Sequence, residues 1–160
     1  MPNGAEHPRA TDSFPLSLEE LFDARGWPRL VGRVIGELML AEPPFLSTSQ
    51  LCERIGTSKG HLSSAISTLE AMDMIDRFGR PGTRQHHYRL REDAFLRAVQ
   101  AGGEPSRMLA DAADRACAEV QPGSRAHTQL IKLRDFYRFL ARRFPELVAE
   151  FEAEFATDER

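Results

Sequence analysis

The stretch Ser47-Thr48-Ser49-Gln50-Leu51-Cys52-Glu53-Arg54-Ile55-Gly56, continued by Thr57-Ser58-Lys59-Gly60-His61-Leu62-Ser63-Ser64-Ala65-Ile66-Ser67-Thr68-Leu69, holds two helix starts and a helix stop in quick succession. Ser47 or Thr48 can cap a first helix, which turns Leu51, Cys52 and Ile55 inward. Gly56 ends it, and Ser58 caps a second helix whose inward residues are Leu62, Ala65, Ile66 and Leu69. This second helix is predicted to run to about Met72. Its outward positions, Lys59, Gly60, His61, Ser63, Ser64, Ser67 and Thr68, are small or polar, and no acid lies on that face before Glu70.

Beyond Met72, Asp73 falls where the chain should take a left-handed turn, which Asp tolerates better than most residues. Met74–Phe78 and His86–Leu90 then read as two strands. Between them Gly79-Arg80-Pro81-Gly82-Thr83-Arg84 is a turn-rich hairpin tip. Helix, tight turn, helix and a basic hairpin make a winged helix-turn-helix, with residues 58–72 as the recognition helix in the major groove of double-stranded DNA. Ser58, Lys59, Gly60, His61, Ser63, Ser64 and Ser67 are the candidate contacts on that helix. Lys59 and His61 suit base edges or phosphates, Gly60 permits close backbone approach, and the serine hydroxyls suit either partner. The wing, residues 79–85, brings Arg80 and Arg84 to the minor groove.

The charge distribution points the same way. The chain has 160 residues and a net charge of −3, which alone argues against a nucleic-acid binder. Yet Arg77, Arg80, Arg84, Arg89 and Arg91 fall in a window without an acid, so that window carries +5 and the rest −8. A phosphate backbone responds to the local field. With 41% hydrophobic and 28% charged residues the composition is that of a globular chain, and no apolar run is long enough for a membrane span. Met1–Phe14 lacks a basic start followed by an apolar core, so no secretory leader is expected. Cys52 and Cys117 are too few for a disulfide framework; both are expected to pack in helices, in a reducing, cytoplasmic setting.

On either side the pattern is helical, giving a mainly α fold class with a small β-hairpin wing. Residues 1–13 read as a flexible tail. Residues 14–44 hold two helices, the first opened by a capping box at Ser17-Leu18-Glu19-Glu20 and stopped by Gly26. Pro28 starts the second, whose stripe is Leu30, Val31, Val34, Ile35, Leu38 and Met39. Residues 45–91 form the winged lobe and 92–156 the C-terminal helices. In the last helix Leu130, Leu133, Tyr137, Leu140, Phe144, Leu147 and Phe151 follow alternating steps of three and four, a heptad seam read as a homodimer interface. Pro145 is expected to bend or restart that helix.

Gly32-Arg33-Val34-Ile35-Gly36, Ser58-Lys59-Gly60-His61-Leu62-Ser63, Leu69-Glu70 and Arg80-Pro81-Gly82-Thr83-Arg84-Gln85-His86-His87-Tyr88 resemble the MarR superfamily of bacterial transcriptional regulators. The likeness is strongest to the GbsR-like branch, named after the glycine-betaine synthesis repressor; actinobacterial regulators of membrane transport and drug efflux resemble it too. It covers about residues 26–100. Thr83 stands where many such wings carry an Asp beside the key Arg, and Asp73 where the usual residue is Gly. The resemblance implies a homodimer on a pseudo-palindromic operator, with a ligand cavity between lobe and dimer helices. Trp27, Leu30, Val31 and Val34, facing Phe95, Met108 and Leu109, are the candidate residues for a hydrophobic or amphipathic effector.

The expected function is therefore a ligand-responsive repressor; the alternative is a winged-helix protein-interaction module without specific DNA binding. The sequence has no glycine-rich phosphate loop, Cys-x-x-Cys, His-Glu-x-x-His or nucleophile elbow, so no enzyme and no cofactor are expected. His86 and His87 are adjacent on a strand and point to opposite faces, so no metal site is expected there.

Overall fold

The computed structural model describes residues 10–155, which are mainly helical with one small antiparallel sheet. The chain divides into two compact units, Met1–Ala94 and Phe95–Arg160.

The first unit contains α1 (Ala10–Ala24), α2 (Arg29–Met39), β1 (Leu46–Ser47), α3 (Thr48–Ile55), α4 (Lys59–Ala71), β2 (Ile75–Gly79) and β3 (His86–Leu90). The sheet order is β1-β3-β2. β2 and β3 pair from Ile75↔Leu90 to Gly79↔His86, and β1 adds Leu46↔Tyr88 and Ser47↔His87. Local punctuation is as the sequence predicts. Ser47 is the cap of α3 in a full capping box: its Oγ accepts from the Gln50 amide at 3.2 Å, and the Ser47 amide donates to Gln50 Oε1 at 2.8 Å. Gly56 ends α3 at φ +72°, Ser58 Oγ accepts from the His61 amide at the start of α4, and Asp73 takes φ +55°. Val34, Leu46, Leu51, Leu62 and Leu69 are buried at the centre, so α2, α3, α4 and the sheet share one core.

The first helix departs from the sequence expectation. It begins at Ala10, within the segment read as a tail, and runs through Pro15; residues 1–9 lie outside the described residues. Ser17 therefore sits inside the helix, and its hydroxyl donates to the Ser13 carbonyl at 3.1 Å instead of capping anything. The reason lies in α2. Gly32 and Gly36 are one turn apart and share a face. A Cβ on Gly32 would come within 2.5 Å of the Leu18 carbonyl oxygen, and one on Gly36 within 2.5 Å of Pro15 Cα. Two positions without side chains let the backbone of α1 lie directly on α2. A polar clasp accompanies this contact: Arg33 reaches Glu37 at 3.1 Å and Glu19 of α1 at 3.5 Å, and Arg54 of α3 approaches Glu37 at 3.8 Å. Glu37 is 9% exposed, and these guanidiniums make its burial tolerable.

The second unit contains most of α5 (Ala94–Ala101), with α6 (Gly103–Cys117) and α7 (Arg125–Phe155). α6 packs along α7 through small residues, with Ala110, Ala113, Ala141 and Val148 buried. A Cβ on Gly102 would lie 3.0 Å from the Phe144 ring, so that glycine seats the ring. Arg134 and Arg138 of α7 both reach Asp114 of α6 at 3.1 Å. Hydrogen bonds to Asp135 and then Asp114 hold the Arg134 pKa above its ordinary value. Pro105 lies in the first turn of α6, where its missing N–H costs no helical bond. α7 is a single 31-residue helix that includes Pro145, so no restart occurs there.

Candidate nucleic-acid interface

α4 presents two opposite faces. Leu62, Ala65, Ile66 and Leu69 are buried against the lobe. Ser58, Lys59, Gly60, His61, Ser63, Ser64 and Ser67 are all exposed, so the structure brings every candidate on this helix to one solvent-facing surface. Thr68 is half-buried, and its hydroxyl donates to the Ser64 carbonyl at 3.1 Å. A Cβ on Gly60 would meet nothing closer than Ser58 Oγ at 3.9 Å, so the space beside that backbone is open to a partner. A cleft of about 240 Å³ runs between α4 and the sheet, lined by residues that include Lys59, Ser63, Ser67, Arg77 and His86.

At the hairpin tip Gly82 adopts φ +82°, and Thr83 Oγ1 accepts from the Gln85 amide at 3.1 Å. That hydroxyl braces the turn rather than the neighbouring guanidinium. Arg84 is exposed, and no ion pair holds it among the described residues. Arg80 is also exposed but lies over the Phe45 ring, 4.7 Å from its centroid.

The local charge is smaller than the sequence window implies. Arg77 pairs with Glu70 at 3.6 Å, Arg89 with Asp76 at 2.9 Å, and Arg91 with Asp73 at 3.1 Å and Asp76 at 2.9 Å. Three of the five arginines thus have carboxylate partners on α4, on β2 or in the turn between them. The window opens at Arg77, one residue after the acid that the hairpin register sets opposite Arg89. The cations left for a phosphate backbone on the wing are Arg84 and Arg80, with Lys59 across the cleft.

The residues expected to bind an effector or a second chain are spread more widely. Trp27 is 54% exposed and meets the Phe22 ring edge-on, beside a hollow of about 280 Å³ lined by Leu21, Phe22, Arg25 and Trp27. Leu30 is half-buried, whereas Val31 and Val34 belong to the core of the first unit. Phe95, Met108 and Leu109 are exposed residues of the second unit. Along α7, Leu130, Tyr137, Leu140 and Phe144 are half-buried, while Leu133, Leu147 and Phe151 are exposed. Phe136, Phe139 and Phe155 are more exposed than the heptad positions themselves, at 54%, 49% and 50%. Among the described residues no group of three or more His, Cys, Asp or Glu could hold a metal ion, and no helix is long and apolar enough to cross a membrane. Sequence reasoning missed a second cleft on the lobe, lined in part by Phe45, Arg54 and His87. Only the pairing of β1 with β3 brings these residues together.

Comparison with known proteins agrees with this geometry. A family model described as an MmpR5-like MarR family transcriptional regulator matches residues 93–154, the helical region rather than the lobe. The HTH-type transcriptional regulator MmpR5 of Mycobacterium tuberculosis (strain ATCC 25618 / H37Rv) is 29% identical over 127 residues, covering 74% of this chain and 73% of that protein. A crystal structure of a transcriptional regulator superposes with a TM-score of 0.79 at 24% identity, over 89% of this chain and 98% of that one. On sequence and fold together the chain is MarR-like, a winged helix-turn-helix protein similar to the transcriptional regulators of that family.

Proposed function

We propose that this chain is a ligand-responsive transcriptional repressor, acting in the cytoplasm as a homodimer on a pseudo-palindromic DNA operator. The observation that carries this reading is the exposed face of α4, with its serines, lysine, histidine and open glycine, in the same unit as an exposed wing-tip arginine, Arg84, that no ion pair holds among the described residues. That surface suits a major groove with a phosphate or minor-groove contact at its edge. It carries no large exposed apolar side chain, which a protein-docking helix would need.

Dimerisation rests on α7. Phe136, Phe139, Phe151 and Phe155 are each about half exposed along α7, apolar area that a second copy of the helix would cover. A two-fold dimer would carry two α4 helices to half-sites about one helical turn apart. The effector would be a hydrophobic or amphipathic molecule engaging Trp27 and its neighbours. By shifting the spacing of the lobes it would lower operator affinity, and a coupling of about 1–3 kcal/mol is enough for regulation. Residues 32–36, 58–63 and 80–88 support the GbsR-like branch as the finer relationship.

Fluorescence anisotropy on the DNA flanking the gene for this chain, at two salt concentrations, tests the DNA reading. The wild type should bind with a steep salt dependence. Arg84→Ala should weaken specific and non-specific binding alike, with a salt slope lower by about one. An unchanged slope would remove Arg84 from the interface, and no binding by the wild type at low salt would remove the function.

A further inference from the structure

His86 and His87 point to opposite faces of β3, and each lines a different cleft. His86 belongs to the cleft beside α4. His87 lines one of about 390 Å³ with Phe45, Leu46, Gln50, Arg54 and Arg80. Three features set this second cleft apart. His87 is only 7% exposed, yet its Nδ1 has no hydrogen-bond partner among the described residues, whereas buried polar atoms are nearly always paired. Two guanidiniums, Arg54 and Arg80, stand against a single lining carboxylate, the exposed Glu42. Neither is tightly engaged: Arg54 has only the 3.8 Å approach to Glu37, which Arg33 holds more closely, and Arg80 rests on the Phe45 ring. The remaining wall mixes that ring and Leu46 with the polar side chains of Gln50 and Gln85.

We infer that this cleft is a binding site for a short hydroxy-carboxylic acid, separate from the apolar hollow at Trp27. A carboxylate matches the fork of donors on a guanidinium, and two arginines on one cleft give it a strong preference for an anion. A hydroxyl can donate or accept, so it can partner the imidazole of His87, which lines the cleft, in either tautomer. The apolar wall at Phe45 leaves room for a short alkyl body. The polar character of most of the wall favours a polar acid over an apolar one. Such a ligand would take hold of Arg80, one of the two wing cations left for DNA. This regulatory consequence rests on the proposed DNA-binding function, whereas the binding site itself does not.

Calorimetric titration of the full chain with lactate tests the site, with propionate lacking the hydroxyl and lactamide lacking the charge. Lactate should bind, and lactamide should bind about tenfold more weakly or worse. Arg54→Gln should cause a similar loss. His87→Phe keeps a ring between Phe45 and Phe78 but removes the nitrogen, so lactate affinity should fall to that of propionate while propionate is unaffected. Trp27→Leu should leave lactate binding intact. The site is overturned if lactate does not bind, if lactamide binds equally well, or if Trp27→Leu abolishes binding. A protein that binds lactate but no DNA would keep this site and remove the proposed function; one that binds DNA but no lactate would do the reverse.

Discussion

In the unit Met1–Ala94, Val34 of α2, Leu51 of α3 and Leu69 of α4 are fully buried, although Met39 at the end of α2 stays exposed. In the unit Phe95–Arg160 the buried apolar residues are Ala110, Ala113, Ala141 and Val148, while Phe136, Phe139, Phe151 and Phe155 face outward. Within the first unit, the lobe of residues 45–91 closes its core and exposes no large apolar side chain, while Leu16, Leu21 and Trp27 outside the lobe stay exposed. The second unit uses its small residues for its own helix contact and leaves Phe136, Phe139, Phe151 and Phe155 about half exposed. Since most of the stability from a ring comes from removing its area from water, the second unit has stabilisation still to gain from a partner, and the lobe has little.

The largest expected effect breaks this contrast at its exposed side. Phe136→Glu with Phe139→Glu should leave helix content unchanged, because neither ring is part of a core within the chain. Association of two chains should weaken by about 4 kcal/mol or more, roughly a thousandfold in Kd. Sedimentation equilibrium reads this directly. A dimer that survives with wild-type affinity would mean that these rings lie outside the interface and that the exposed aromatic surface serves something else.

A smaller effect tests the closed side. Gly36→Ala adds one methyl group where the Pro15 backbone lies 2.5 Å away, a clash that no side-chain rotation relieves. Alanine favours a helix over glycine by about 1 kcal/mol. Displacing α1 from α2 costs more, and a net loss of about 1–3 kcal/mol is expected from urea unfolding followed by circular dichroism. If the variant is as stable as the wild type or more so, α1 does not rest on α2 through this glycine.

These two regions also differ in how far they can be read from sequence. Ser47, Gly56, Ser58 and Asp73 act through hydrogen bonds and backbone angles within a few residues of themselves, so the helix-turn-helix is legible in the residues alone. The candidate DNA face is legible for the same local reason, since every outward position on α4 follows from helical period. The start of α1 is not, because Ser17-Leu18-Glu19-Glu20 is a valid local cap that loses to packing against Gly32 and Gly36 of another helix. The Arg54–His87 cleft depends on β1 joining β3 and cannot be seen from period or spacing. The heptad pattern of α7 correctly marks an apolar surface, but it does not show that Phe144 is drawn against Gly102 while Phe136 and Phe139 remain outside.

The smallest effect concerns charge, where sequence and structure count differently. Asp76 holds Arg89 and Arg91 at 2.9 Å each, and the pairs are partly exposed, so Asp76→Asn should cost less than about 1 kcal/mol of stability. Removing one negative charge near the wing should raise non-specific DNA affinity at low salt by about twofold, as expected for unit charges some distance apart in water. The salt slope should stay the same, because it counts the phosphates actually contacted, and the strand arginines are not placed at the tip. A slope steeper by one or two would mean that Arg89 and Arg91, once released, reach the backbone. The window of five arginines would then be the right measure of the lobe, with Asp76 as its brake. An unchanged slope with slightly higher affinity would leave Arg84 and Arg80 as the wing cations that act, and the other arginines as fasteners of the hairpin to α4.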